Sequence, residues 1–271
     1  MCYYNSVKVN QSELLRLKSI EKAIAQFEFL NKSLLIGFDY QPIPVLKRVD
    51  QQTDFDLVQM EWGFLPPYIK TREQADKFRL GYKKENGQWQ EPILTLNAKA
   101  EEILFERKMY RDAALNRRCL VLSTGFYEWQ HVFPISKKTG KPLKTAVRYP
   151  YRIGVKNRDY FFMAGIYNPW KDESTGEYIE TCSIVTTAAN PLMEQIHNTK
   201  KRMPTILTDD LAWDWLFGDL DEARISEIAC FQYPAKDVQA YTIAKDFRQA
   251  LDPAEAFIYK DLPELETNFS Q

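Results

Sequence analysis

The chain holds only 2 histidines in 271 residues, so each can be weighed individually. Its four cysteines, Cys2, Cys119, Cys182 and Cys230, include no pair at the close spacing of a zinc site or a redox motif. No glycine-rich phosphate loop is present, which argues against a nucleotide cofactor, and no metal or other cofactor is expected. Neither sign of charge prevails: 36 Lys and Arg stand against 37 Asp and Glu, a formal net charge of −1. Any contact with nucleic acid must therefore come from a local basic patch on a neutral protein. No stretch approaches the ~18 apolar residues of a membrane span, and the start MCYYNSVKVN lacks an apolar signal segment. The default is a cytoplasmic protein with reduced thiols and no membrane partner. Cys119 and Cys182 lie in apolar runs and Cys230 closes a helical stretch, so all three read as inert.

What the chain does have is an ordinary globular balance, 45% hydrophobic and 27% charged, with aromatics raised to 14%. That length and balance can bury a substantial core. Residues 12–31 read as an amphipathic helix with Leu14, Leu17, Ile20, Ile24 and Phe27 on one stripe and Ser12 as cap. Strands are expected at Leu34 to Asp39 and Val58 to Leu65, then an irregular connection over 69–91 and helical spacing over 99–116. Arg118 to Ser123 and Phe126 to Val132 read as strands broken around Gly125, followed by a basic, turn-rich loop over 133–148. Strands at Tyr160 to Tyr167 and Thr181 to Thr187, helices at 191–196, 209–217 and 221–230, and a late strand at Val238 to Ile243 complete the pattern. Strands and helices do not alternate as βαβ units. The expectation is one α+β domain over 1–271, with a largely antiparallel, barrel-like core, peripheral helices and a loose tail from about 260.

Four segments carry candidate chemistry. Removal of Met1 would leave Cys2 with an α-amine and a thiol on adjacent carbons, with ordinary pKa values of roughly 8 and 8.5. Such a pair captures an aldehyde: the amine forms a Schiff base and the thiol closes a five-membered thiazolidine. Read alone, residue 2 is far more often an arbitrary terminal residue than a reagent, so Cys2 by itself decides nothing. In Gly125-Phe126-Tyr127-Glu128-Trp129 a carboxylate lies among large aromatics. If those rings desolvate it, Glu128 becomes a usable acid or base near neutrality. Otherwise it is a surface residue of an alternating strand. His197 follows a short helix and precedes Lys200, Lys201 and Arg202, which suits proton transfer beside phosphates or merely a solvated charged turn. Asn97 follows an apolar stretch, where it can orient a small polar group or form an Asx turn. His131, at a strand end, reads as incidental.

Taken together these segments resemble the SOS-response-associated peptidase (SRAP) family. The resemblance rests on Met1-Cys2, Trp62-Gly63-Phe64-Leu65-Pro66, Asn97-Ala98-Lys99, Gly125-Phe126-Tyr127-Glu128-Trp129 and His197 with Arg202-Met203-Pro204, in that order, across roughly residues 2 to 207. It implies processing of abasic sites in single-stranded DNA through a thiazolidine at the amino-terminal cysteine, with self-removal of Met1 and Schiff-base lyase chemistry as a side reaction. Cys2 would be the nucleophile. Asn97 would hold the reacting end of the chain or the opened sugar, Glu128 would be the general acid and base, and His197 would support proton transfer. Lys99, Arg117, Arg118 and Arg202 would meet phosphates, and Trp62, Phe64 and Tyr68 would stack on bases, each stack being worth ~1–3 kcal/mol. A monomer is expected.

Departures from the family pattern touch mainly the phosphate contacts. Tyr3 and Tyr4 stand where Gly-Arg is frequent, Lys99 replaces a frequent Arg, and Tyr68 replaces a common Trp. Thr199, Lys200 and Lys201 lengthen the step from His197 to Arg202. Two other functions compete. An amidohydrolase with an N-terminal cysteine nucleophile would need an oxyanion hole, often glycine-rich, yet the first 60 residues hold only Gly37. A non-catalytic single-strand binding module would leave Cys2 idle, and salt would fully reverse its binding.

Overall fold

The structure, a computed structural model, describes residues 2–9, 14–50, 52–266 and 269. In chain order the early strands are β1 (Tyr4–Lys8), β2 (Leu14–Leu17), β3 (Ile20–Ala23), β4 (Asn31–Ile36), β5 (Pro42–Arg48) and β6 (Phe55–Trp62). Helix α1 (Arg72–Leu80), the short strands β7 (Tyr82–Lys83) and β8 (Trp89–Gln90), and β9 (Asn97–Lys99) follow. Then come α2 (Arg111–Asn116), β10 (Arg118–Ser123), β11 (Gly125–Val132), β12 (Val147–Val155), β13 (Phe161–Lys171) and β14 (Tyr178–Ala188). The chain closes with α3 (Pro191–Ile196), β15 (Arg202–Pro204), β16 (Ile206–Leu207), α4 (Asp209–Phe217), α5 (Glu222–Ala229) and β17 (Val238–Thr242). The expected α+β architecture with a barrel-like, mainly antiparallel core is what forms.

Strands β14, β6, β5, β10 and β13 pair in that order, and β13 returns to β14, so five strands close into a barrel. Every pairing in the ring is antiparallel except β14 with β6. A second sheet runs β17-β12-β11-β1-β4. The two meet where β10 passes into β11 through Thr124. There Asn5 Nδ2 donates to Leu122 O at 3.1 Å and Ser123 Oγ donates to Asn5 Oδ1 at 2.7 Å. Gly125 leaves room at this corner for the Arg152 guanidinium, which a Cβ would meet at 2.7 Å and displace, and whose Nη2 donates to Thr124 O at 2.8 Å. Strand β10 is therefore buried on both faces, as its unbroken apolar run Cys119-Leu120-Val121-Leu122 demands.

One edge of β14 positions the site. Trp62, at the end of β6, pairs with Cys182, and Asn97, at the start of β9, pairs with Ile184. Residues 63–96 thus leave this edge and rejoin it next door. Trp62 Nε1 fastens the return by donating to Leu96 O at 2.9 Å.

Several expectations need correction. The helix over 12–31 does not form, and its expected cap Ser12 lies outside the described residues. Leu15 and Leu17 are buried and Leu14 is exposed, a period of two, and Lys18 takes φ 51 in the turn joining β2 to β3. The connection over 69–91 is not irregular: Thr71 accepts from Gln74 N and caps α1, and β7 pairs with β8. The helix over 99–116 shrinks to α2, preceded by a 3-10 turn at Ala100–Glu102. Strands β1, β5, β9, β12, β15 and β16 go beyond the expected set, and two of them, β5 and β12, carry prolines, Pro44 and Pro150. Pro44 pairs with β6 just outside the β10 ladder, and Pro150 pairs with β11 just outside the β17 ladder, so neither missing N–H breaks a full ladder. The expected loose tail falls partly on residues outside the described set. Of the rest, Leu262 and Leu265 pack against the core, and Glu266 exchanges two backbone hydrogen bonds with the Gln195 side chain. No helix among the described residues is long and apolar enough to cross a membrane.

Arg118 has a structural position. Its guanidinium donates to Ala114 O and Leu115 O at the end of α2, and to Trp215 O and Gly218 O at the end of α4, at 2.8–3.2 Å. A cation at two helix carboxyl ends satisfies carbonyls that have no partner within their helices. Arg118→Ala is expected to lower stability in urea by about 2–4 kcal/mol. Unchanged stability with weakened oligonucleotide binding would return Arg118 to the phosphate contacts.

Candidate active site

The four candidate residues converge from separate elements. Cys2 stands two residues before the start of β1, which lies between β11 and β4. Asn5 pairs with Phe126 in antiparallel register, so the residues before it run alongside Tyr127, Glu128 and Trp129. Gly37 N donates to Tyr3 O at 2.9 Å, and Asn97 Nδ2 donates to Cys2 O at 2.8 Å. Both contacts hold backbone, so the end of the chain is fixed without spending the Cys2 side chain. Cys2 is fully buried, and its Sγ lies 3.7 Å from Tyr4 O. Asn97 Oδ1 is also buried and has no hydrogen-bond partner among the described residues. An orphaned buried acceptor costs roughly 1–3 kcal/mol, a penalty that a ligand or amine donor there would remove.

Helix α3 supplies His197. Asn190 caps the helix, its Oδ1 accepting from Met193 N at 2.9 Å while Nδ2 donates to Tyr233 O at 2.7 Å. Pro191 starts the helix, and His197 is its C-cap. His197 Nδ1 lies 2.8 Å from Arg202 O. A carbonyl only accepts, so Nδ1 carries the proton in the neutral ring and Nε2 keeps its lone pair. Nε2 points toward Glu128 Oε2 at 3.8 Å, ion-pair range but longer than a hydrogen bond.

Burial sets the charge state of this cluster. Desolvation raises Glu128 from its ordinary 4.5 to about 7 and lowers His197 to about 4. Burial, with the Glu128 charge adding to it, also pushes the Cys2 thiol well up and the Tyr3 phenol up to about 12. Burial therefore keeps the Cys2 thiol protonated at neutral pH. At neutral pH the histidine is neutral and the carboxyl is divided between acid and base. Such a group gives and takes protons with little change in energy.

The expected DNA contacts scatter more widely. Lys99 and Arg202 flank a polar depression with Glu101, Glu102 and Lys200, two residues along β9 from Asn97. Arg202 already makes a forked pair with Glu101 at 2.6 and 2.9 Å and bonds to Thr186 O, and Lys99 Nζ lies 3.2 Å from Glu102. Arg117 is occupied by Asp112, Asn168 and Tyr167 O. Trp62 and Phe64 are fully buried and offer no face to a base; Trp62 supports the Asn97 strand instead. Tyr68 is exposed, in a cleft of 350 Å³ with Phe78 and Tyr82. Sequence reading treated Tyr3 only as a departure, yet it stands beside Glu128. It missed Asn190, although Asn before Pro at a helix start was a legible cap signal.

Residues 1–250 match the sequence model of a family described as SOS response associated peptidase (SRAP). Abasic site processing protein YoqW of Bacillus subtilis (strain 168) is 30% identical over 200 residues, covering 74% of this chain and 75% of its own. Abasic site processing protein HMCES of Gallus gallus is 27% identical over 243 residues, covering 81% of this chain and 66% of its own. A solved structure of a protein from Bacteroides thetaiotaomicron is similar with a TM-score of 0.70 at 28% identity, covering 94% of this chain and 97% of that one.

The Glu128 environment predicts a pH signature of stability. Folded Glu128 keeps its proton up to about pH 7, whereas the unfolded carboxyl loses it near 4.5. Between those values the native state binds more protons, so stability falls as pH rises and the loss is complete above pH 7. Glu128→Gln removes this penalty. In urea titrations it should exceed the parent by up to roughly 3 kcal/mol at pH 8 and by little at pH 4.5. Equal stabilities at pH 8 would show that Glu128 is not desolvated.

Proposed function

The chain belongs to the SRAP family, and on that premise we propose that it captures abasic sites in single-stranded DNA as a thiazolidine on Cys2 once Met1 is gone. The observation that carries this reading is the hold of Asn97 on the Cys2 carbonyl beside the Glu128–His197 pair. A residue gripped through its backbone, next to a carboxyl poised near neutrality, suits a reaction in which the chain end itself is the reagent.

An abasic deoxyribose is mainly a closed hemiacetal, and Glu128 donates and accepts the protons that open it to the aldehyde. The Cys2 α-amine adds to C1′, and loss of one water gives the Schiff base. The thiol then forms the S–C1′ bond, and its proton passes to the former imine nitrogen. Because burial keeps the thiol protonated, this last transfer needs a relay, which Glu128 supplies with the Nε2 lone pair of His197 as second station. Asn97 Oδ1 accepts from the amine and holds it toward the sugar. Lys99 and Arg202 meet flanking phosphates, and Tyr68 stacks on a neighbouring base. A Schiff base left open acidifies the C2′ protons and permits β-elimination of the 3′ phosphate, so ring closure protects the strand. Removal of Met1 by the same groups consumes one water at the Met1–Cys2 bond.

The test is a single-stranded oligonucleotide with one abasic site, mixed with the protein and resolved by denaturing gel and intact mass. The expected product has the mass of the Met1-less protein plus DNA minus one water, and it survives salt. A salt-reversible complex alone, from protein lacking Met1, would leave only a binding module. Cys2→Ala retains an amine, so it should lose the stable adduct but keep strand cleavage through the Schiff base. A borohydride-independent adduct in that variant rules out the thiazolidine. Glu128→Gln should slow adduct formation at least a hundredfold with binding nearly unchanged; a parental rate removes Glu128 from the reaction.

A further inference from the structure

Strand β11 runs past the end of β1. Beyond Phe126 the edge that β1 occupies faces first the residues before β1, and then, at His131, no strand among the described residues. That edge is nevertheless capped. Asn198 Oδ1 accepts from His131 N–H at 3.0 Å, and Asn198 Nδ2 donates to His131 C=O at 2.9 Å. One side-chain amide thus takes both polar groups of a strand residue, as a neighbouring strand does.

Asn198 directly follows His197. The two adjacent residues therefore grip one strand at two points: Asn198 holds the backbone of His131, and His197 reaches toward Glu128, three positions earlier on β11. On its other side His197 is held by its Nδ1 contact to Arg202 O and by Lys201 N donating to His197 O at 2.8 Å. Those bonds close the turn on itself. The Asn198 pair ties that turn by two hydrogen bonds to the strand that carries Glu128.

We propose that the Asn198 side-chain amide is a positioning group that registers His197 against Glu128 by clasping the His131 backbone. This rests on the reading of His197 as the second station of the proton relay. His131, which sequence reading set aside as incidental, takes part through its main chain. Asn198 is exposed, so its two bonds add little to global stability, and their consequence lies in geometry. Displacement of a proton-transfer group by about 1 Å slows a reaction roughly a hundredfold.

Asn198→Ala separates these effects. The variant should melt close to the parent and bind undamaged single strands with unchanged affinity, while forming the abasic-site adduct roughly ten- to a hundredfold more slowly. With only 2 histidines, nitrogen-15 imidazole spectra assign each ring by one His131→Gln comparison. Burial, with the chain's amino group, His131 and Lys200 adding to it, holds the His197 titration low near 4, while the Arg202 carbonyl and the facing Glu128 carboxyl favour the charged ring. The titration should therefore move upward as the ring loosens into water. Asn198→Asp keeps the bond from His131 N–H and loses the one to its carbonyl, so it should fall between the two. A parental rate with an unmoved His197 titration overturns the proposal. So does a slower rate with an unmoved titration, which would place Asn198 elsewhere in the reaction. If the parent forms no adduct, the functional reading fails, and the His197 titration still decides whether Asn198 holds the ring.

Discussion

Residues at a chain end fray unless something holds them, and the whole arrangement depends on how Cys2 is held. Asn97 grips the Cys2 carbonyl, Gly37 grips the Tyr3 carbonyl, and β1 is clasped between β11 and β4. Each grip traces back to a different part of the fold. Asn97 is set by β14, a barrel strand, and by the Trp62 indole that anchors the segment before it. Glu128 is set by β11, in the other sheet. The site is the seam between two sheets, and the β10–β11 corner at Thr124 and Gly125 aligns them.

Burial then does the electrostatic work. A seam that excludes water penalises every charge, so the thiol stays protonated, His197 stays neutral, and Glu128 is left near balance at neutrality. Such a cluster passes protons among neutral partners. The imine formation and thiol addition proposed for Cys2 need that, since each step moves a proton without leaving a net charge behind. The same desolvation burdens the fold above pH 7, a cost to stability that a surface carboxylate would not impose.

Much of this was legible in the sequence, for identifiable reasons. The segments Arg118 to Ser123 and Thr181 to Thr187 are rich in the apolar and β-branched residues that favour strands, and Pro191 and Gly125 mark boundaries that the structure respects. Cys2, Asn97, Glu128 and His197 were picked out by order and chemistry, and the fold brings them together. What failed did so where two periods or two roles coincide. Leu14, Leu17 and Ile20 fit a helix stripe until Leu15 is seen to be buried. Prolines concealed β5 and β12 because only pairing shows that a neighbour ends beside them. Arg118 looked like a phosphate ligand, and Trp62 and Phe64 looked like stacking rings. Whether a cation or an aromatic faces solvent or a helix end depends on tertiary packing that no local pattern encodes. Asn198 had no signal at all, since its partner is a backbone 67 residues away.

The central claim is that both nucleophiles of Cys2 bond to one sugar carbon. Carbon-13 labelling at C1′ of the abasic residue, followed by NMR of the isolated adduct, addresses that atom directly. The account predicts a tetrahedral carbon bonded to nitrogen and sulfur, with the nitrogen coupling visible when Cys2 is labelled with nitrogen-15. A trigonal imine carbon, or a carbon bonded to sulfur without nitrogen, would contradict it.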